Sequence, residues 1–181
     1  MKCALASPRQ SWNAGCVKLI HQFVYAYLNT SGWAAMRRGE YTRALEYFDR
    51  AACRRKPTPV LNGYRAMALM LDGQKEASRA AFRELAAAAK SDNPNDEYAR
   101  LYARMYVAYI DNDLAEADRM AVEMEGIPCL RSVKSILIPI SRPSELATDA
   151  PYDADAGLDV QQIKAHFEGL QGAYPIRKTG A

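Results

Sequence analysis

Apolar residues recur at helical spacing in three stretches in the middle of the chain. These stretches carry, in order, Ala44, Leu45, Phe48 and Ala51; Ala77, Ala80, Ala81 and Leu85; and Leu114, Ala117, Ala121 and Met124. Residues three and four positions apart lie on one side of an α-helix, so each stretch predicts an amphipathic helix. Good helix formers fill the sequence between scattered Gly and Pro residues, which predicts an all-α fold of several short helices.

A short sequence motif precedes each predicted apolar face. The residues at 39–44 (GEYTRA) align with those at 72–77 (DGQKEA) and at 112–117 (NDLAEA), at intervals of 33 and 40 residues. Turn-forming residues at 91–96 (SDNPND) account for the longer second interval. Repeats of this length predict stacked helical hairpins, because a single hairpin cannot bury its apolar face.

The first repeat contains a specific set of small, aromatic and turn residues. Gly32 and Ala35 come first, followed by Gly39-Glu40-Tyr41, Ala44, Phe48, Ala51 and Pro57. This set resembles a tetratricopeptide repeat, although the second and third repeats depart from the family pattern at Arg65, Phe82 and Met105. The resemblance implies a right-handed α-solenoid of about three hairpins with flanking capping helices.

We expect one domain with four parts. They are an N-terminal segment with a capping helix at 1–24, a repeat domain at 25–131 (hairpins at about 25–57, 58–97 and 98–131), a linker at 132–158, and a C-terminal capping helix and tail at 159–181. The capping helices would cover the apolar ends of the solenoid.

Charge is distributed unevenly around a net value of +3. The first 60 residues carry ten Lys/Arg against three Asp/Glu, whereas residues 145–181 carry six acidic against three basic residues. No nucleic-acid-binding motif accompanies the basic residues, so we expect no nucleic-acid partner. The acidic segment, with Asp149, Asp153, Asp155 and Asp159, is expected to fold back weakly toward the basic first repeat.

Residues that carry catalytic or metal chemistry are scarce. The two histidines, His21 and His166, have no neighbours that form a triad or metal motif, and no glycine-rich phosphate loop is present. The four cysteines are spread singly, which is typical of reduced thiols in a cytoplasmic protein, and no apolar stretch is long enough for a membrane span. We therefore expect no enzymatic activity, no cofactor and no membrane association.

Four tyrosines, Tyr98, Tyr102, Tyr106 and Tyr109, share one face of a predicted helix. In tetratricopeptide proteins the first helix of each repeat lines a concave groove, and the resemblance implies the same for these residues. The remaining predicted groove residues are Asn29, Trp33, Met36 and Arg37 from the first repeat, and Asn62, Ala66, Leu69 and Met70 from the second. Aromatic and Met side chains suit peptide recognition, so we predict a protein or peptide partner. Alternatively, some of the tyrosines pack against the C-terminal helix or the edge of the next repeat.

Three functions fit these expectations. The first is an interaction scaffold or adaptor that binds a peptide or partner helix in the groove. The second is a small cytosolic chaperone of a bacterial secretion system, since the architecture resembles the type III chaperones that hold translocator proteins. The third is a structural subunit of a larger helical assembly. A peptide-carboxylate clamp is disfavoured, because Ala99 and Ala103 occupy the positions where the third repeat would need basic residues.

Overall fold

Every regular element in the described part of the chain is an α-helix. The computed structural model describes the backbone of residues 8–134 and 136–137, with side chains from Leu19 onward. The helices are α1 (Pro8–Arg37), α2 (Tyr41–Ala52), α3 (Pro59–Leu71), α4 (Lys75–Ala86), α5 (Pro94–Ile110), α6 (Leu114–Glu125) and the single turn α7 (Arg131–Lys134). The prediction of an all-α fold is confirmed for these residues. Most of the predicted linker, the C-terminal capping helix and the acidic tail lie outside the described residues.

Helix α1 continues without a break across residue 25, where we placed the start of the first hairpin. The predicted N-terminal capping segment and the first hairpin helix therefore belong to one 30-residue element. Because α2 has only 12 residues, it pairs with part of α1 and leaves the remainder extending beyond the hairpin.

Helices α3 and α5 begin with the same combination of a side-chain N-cap and a proline. Thr58 accepts a hydrogen bond from the Leu61 amide (3.2 Å), and Asn93 accepts one from the Asn95 amide (2.9 Å). A proline, Pro59 or Pro94, follows each capping residue at the first helical position. The cap satisfies one of the free amides at a helix start, and proline has no amide to satisfy there.

The turns inside the three hairpins have the same backbone geometry. Gly39 (φ 73°), Gly73 (φ 83°) and Asn112 (φ 59°) occupy the left-handed region, in which glycine and asparagine carry the smallest steric penalty. The amide of the following residue then donates a hydrogen bond to a carbonyl of the preceding helix: Glu40 to Ala35, Gln74 to Leu69, and Asp113 to Ala108. The turn therefore recurs at intervals of 34 and 39 residues, counted from 39 to 73 and from 73 to 112.

The sequence alignment of the second repeat was therefore wrong by one residue. The buried residues of α4 are Ser78, Phe82 and Leu85, whereas Ala77 and Ala80 are exposed. An interval of 34 matches Ser78 to Ala44 and Phe82 to Phe48. It also places Ala66, not Arg65, at the position of Gly32. A serine is acceptable at the buried position 78 because its hydroxyl donates a hydrogen bond to the Ala66 carbonyl (2.9 Å).

Consecutive helices pack in pairs, and each pair packs on the next. α1 lies against α2, α3 against α4 and α5 against α6, while α2 also contacts α3 and α4 contacts α5. The first helices of neighbouring hairpins also touch, since α3 packs against α5 and α1 contacts α3. A single apolar core therefore runs from Leu28 in α1 to Leu137 beyond α7.

The helix faces can be tested by placing an acid on each side of α2. Ala44 is fully buried, whereas Glu46 is exposed. Ala44→Asp would bury an unpaired charge, so we expect it to lower the free energy of unfolding by about 3 kcal/mol or more. Glu46→Asp keeps an exposed acid and should cost less than about 0.5 kcal/mol. Equal urea-denaturation midpoints for the two variants would contradict the assigned faces.

Candidate functional site

The first helices of the three hairpins present equivalent positions, which the 34- and 39-residue intervals identify. Asn29 in α1 corresponds to Gly63 in α3 and to Tyr102 in α5. We call this surface the α1/α3/α5 face. Its residues at equivalent positions are Asn29, Trp33, Met36 and Arg37 from α1; Gly63, Met67, Met70 and Leu71 from α3; and Tyr102, Tyr106, Tyr109 and Ile110 from α5. Tyr98, one turn before Tyr102, lies at the edge of the face.

This correspondence changes the predicted lining of α3, which was displaced by the same one-residue error. Met70 remains among the residues of the face. Gly63, Met67 and Leu71 replace Asn62, Ala66 and Leu69. Ala66 is fully buried in the contact between α3 and α4, where its carbonyl accepts the Ser78 hydroxyl. Asn62 is half-buried and Leu69 is buried.

Most of the predicted groove residues are buried. Met36, Arg37, Met70 and the four tyrosines are all buried, while Asn29 and Trp33 are half-buried. The α1/α3/α5 face is therefore closely packed, not an open channel. The Arg37 guanidinium lies over the Trp33 ring, 4.8 Å from its centroid.

Phe82 of α4 explains part of the tyrosine burial. Its ring centroid lies 5.9 Å from that of Tyr102 and 4.2 Å from that of Tyr106. These two tyrosines therefore pack against the preceding hairpin, whereas our alternative interpretation of the sequence placed some tyrosines against the C-terminal helix or the edge of the next repeat. Burial raises the pKa of the Tyr98 and Tyr102 hydroxyls, because the ionised forms would lose their hydration.

Three side chains on the face carry buried polar atoms without a hydrogen-bond partner in the described structure. They are the Oδ1 atom of Asn29, the indole Nε1 of Trp33 and the hydroxyl of Tyr102. Nearly all buried polar groups in proteins are hydrogen-bonded, and leaving one unpaired costs about 1–3 kcal/mol. Sequence patterns gave no indication of these atoms, because their lack of partners depends on the neighbouring helices.

A buried ion pair fixes the start of α5. Arg100 donates to both carboxylate oxygens of Glu97, at 2.9 and 2.6 Å, and the Ser91 amide donates to the same carboxylate at 3.0 Å. The hydrogen bonds from Arg100 hold the pKa of Glu97 below its usual value, and the pKa of Arg100 is raised in turn. The pair joins the loop before α5 to the first turns of that helix.

An apolar stripe is exposed on α1. Leu19, Ile20, Phe23 and Tyr27 are 55, 58, 74 and 66% exposed. Leu19, Phe23 and Tyr27 follow one another at intervals of four residues, so they share one side of the helix. We call these four residues the α1 stripe.

Groups suited to metal chemistry do not come together in the described residues. No cluster of three or more His, Cys, Asp or Glu side chains forms there, and Cys53 and Cys129 are free thiols. None of the described helices combines the length and apolarity that crossing a bilayer requires.

Comparison with known proteins found no match to this chain. No protein-family model, curated protein or solved structure matches this chain. Inferences about its function therefore depend on its own residues.

The unpaired Tyr102 hydroxyl can be tested against Tyr98, whose hydroxyl donates to the Leu137 carbonyl at 3.3 Å. Tyr102→Phe removes an unsatisfied buried group, so we expect the free energy of unfolding to rise by about 1 kcal/mol. Tyr98→Phe removes a hydrogen bond and should lower it by about 1 kcal/mol. Chemical denaturation of both variants measures the two effects, and a loss of stability in Tyr102→Phe would contradict this assignment.

The Glu97–Arg100 pair predicts a pH-dependent contribution to stability. Because folding lowers the pKa of Glu97, the pair stabilises the protein above the unfolded pKa of about 4.3 and loses this effect as the pH falls through the folded value. Glu97→Gln should therefore cost about 2–4 kcal/mol near neutral pH and progressively less below about pH 4. Glu46→Gln, on the exposed side of α2, is the matched control. A cost for Glu97→Gln that stays constant down to about pH 2 would exclude this mechanism.

Proposed function

We propose that this protein is a cytoplasmic interaction module of the tetratricopeptide type, which binds a peptide or partner helix against its α1/α3/α5 face. A right-handed solenoid and a non-enzymatic role are parts of the same proposal. The type III secretion chaperone suggested by the sequence would be a narrower case of it.

The repeated hairpin geometry supports this proposal. The same left-handed turn residue recurs after 34 and 39 residues, and the first interval equals the length of a tetratricopeptide repeat. Gly32 and Ala66 are buried at the equivalent small-residue position in the first two hairpins. Stacked repeats of this kind present an extended surface made from one helix of each hairpin.

The observation that carries the proposal is the set of unpaired polar atoms on the face. Asn29 offers an acceptor, Trp33 a donor, and Tyr102 a hydroxyl that serves as either. A polypeptide backbone supplies both donors and acceptors, so a peptide that reaches these buried atoms offers a suitable partner to each of them. Trp, Tyr and Met side chains also provide contact area at low entropic cost.

The α1 stripe favours a second candidate, a structural subunit of a helical assembly. Four large apolar residues on one helix, each more than half exposed, form a surface of the kind that other proteins cover. Size-exclusion chromatography with light scattering tests this candidate. A monomer that stays soluble on its own would disfavour it.

Peptides selected from a displayed random library on the purified chain would test the main proposal. We expect Tyr102→Phe to bind the selected peptides about tenfold more weakly, the equivalent of one lost hydrogen bond, while remaining folded. Phe23→Ser, on the α1 stripe, is the matched control and should bind normally. Binding that is lost in Phe23→Ser and retained in Tyr102→Phe would move the site from the α1/α3/α5 face to the stripe.

A further inference from the structure

The chain returns to the α1/α3/α5 face after the third hairpin ends. Beyond α6, the Leu130 amide donates to the Asn95 side chain at the start of α5 (2.8 Å), and the single turn α7 follows. The side chains of Val133, Ile136 and Leu137 are then buried, and the last two are fully inaccessible. We call Val133, Lys134, Ile136 and Leu137 the docked run.

Leu137 packs directly over Gly63, in a slot on α3 where no side chain separates it from the helix. A Cβ atom on Gly63 would lie 3.2 and 3.4 Å from the two terminal carbons of Leu137, and 3.6 Å from a terminal carbon of Leu85. An alanine at this position would crowd the Leu137 side chain. The slot lies on α3, and Gly63 is the equivalent of Asn29 and Tyr102.

Tyr98 on α5 holds the same run through two further contacts. Its hydroxyl donates to the Leu137 carbonyl at 3.3 Å, and the Lys134 ammonium lies 5.5 Å from its ring centroid, within the range of a cation–π interaction. The docked run thus touches two of the three helices that form the face.

These contacts are those of a bound peptide. A main-chain carbonyl pairs with a side-chain donor of the receptor, an aliphatic side chain enters a slot, and a cation lies over an aromatic ring. None of these contacts joins two opposite charges. The acidic tail, which we expected to fold back weakly toward the basic first repeat, is not needed for them.

We propose that the docked run is a built-in competitor that occupies the peptide site, and that the partner carries the same chemistry, a short aliphatic run preceded by a cation. This inference rests on the proposed function and specifies its ligand class and regulation. A partner must displace the run, and tethering gives the run an effective concentration in the millimolar range. The apparent affinity for an external peptide is the intrinsic affinity multiplied by the fraction of molecules in which the run is not seated.

The direct test uses the run itself as the probe. A fluorescein-labelled peptide with the sequence of residues 131–142 (RSVKSILIPISR) is titrated into the full chain and its variants, with anisotropy as the readout. Leu137→Asp introduces a charge that cannot stay in the apolar slot, so it frees the site. Val122→Asp is the control, because it makes the same kind of change at an exposed position on α6.

We expect the peptide to bind Leu137→Asp at least tenfold more tightly than it binds the unmodified chain or Val122→Asp. Adding Gly63→Leu to Leu137→Asp fills the slot from α3 and should abolish the gain, which locates the binding site. Circular dichroism checks that each variant folds. If Leu137→Asp does not fold, Leu137→Ala removes the slot contact without adding a charge and should still give tighter binding.

Two results would overturn the inference. Equal affinity for the unmodified chain and the folded Leu137 variant would show that the run does not compete. The absence of binding to every variant at millimolar peptide would make the run a fixed part of the fold.

The library-selected peptides separate this failure from failure of the proposed function. If the selected peptides bind the unmodified chain and the Leu137 variant equally well, and bind Tyr102→Phe more weakly, the face is a peptide site without a competitor. If selection yields no peptide that depends on Tyr102, the proposed function fails as well.

Discussion

The close approach of the two helices in each hairpin is the constraint on which the rest of this structure depends. In the first hairpin, a Cβ on Gly32 would lie only 2.4 Å from the ring of Phe48, so α1 and α2 can pack at this distance only if residue 32 lacks a side chain. In the second hairpin, Ala66 occupies the position of Gly32, and its carbonyl accepts a hydrogen bond from the Ser78 hydroxyl. Helices paired this closely leave the opposite sides of α2 and α4 available for the next hairpin, and the first helices α1, α3 and α5 consequently form one continuous face.

That face combines tight packing with incomplete hydrogen bonding. Tyr102 stacks near Phe82 yet leaves its hydroxyl unpaired, and the Trp33 indole also lacks a partner in the described structure. Phenylalanine at position 102 would provide the same ring for packing without the free-energy cost of an unpaired hydroxyl. Natural proteins commonly give up some stability at the surfaces they use for function. Glu97 and Arg100 on the same α5 helix show the opposite arrangement, since each polar group of that buried pair finds a partner.

The sequence was sufficient to predict the helices α2 to α6, because their apolar spacing and their Gly, Pro and Asn boundaries are local features. The continuity of α1 across residue 25 was missed. The main error, the one-residue displacement of the second repeat, arose at Ser78. A serine does not indicate a buried helix position, and only the carbonyl of Ala66 makes it acceptable there. The tyrosines of α5 were predicted to line a groove because they share one face of the helix and the first helices of tetratricopeptide repeats line such a groove. Both faces of α5 are buried, since α4, α6 and the docked run surround it. Such burial depends on chain segments far apart in sequence, which local periodicity does not report.

The position of the docked run also has a consequence for the protein during its synthesis. Leu137 follows Gly63, its receptor in α3, by 74 residues. At translation rates of about 5–20 residues per second, roughly 4–15 seconds separate the synthesis of these two residues. Hairpins stabilised mainly by neighbouring helices can form in much less time. If the docked run competes with a partner as proposed, the nascent chain presents the α1 and α3 part of the face before that run is made, and a partner at the ribosome would meet a site that the finished protein keeps occupied.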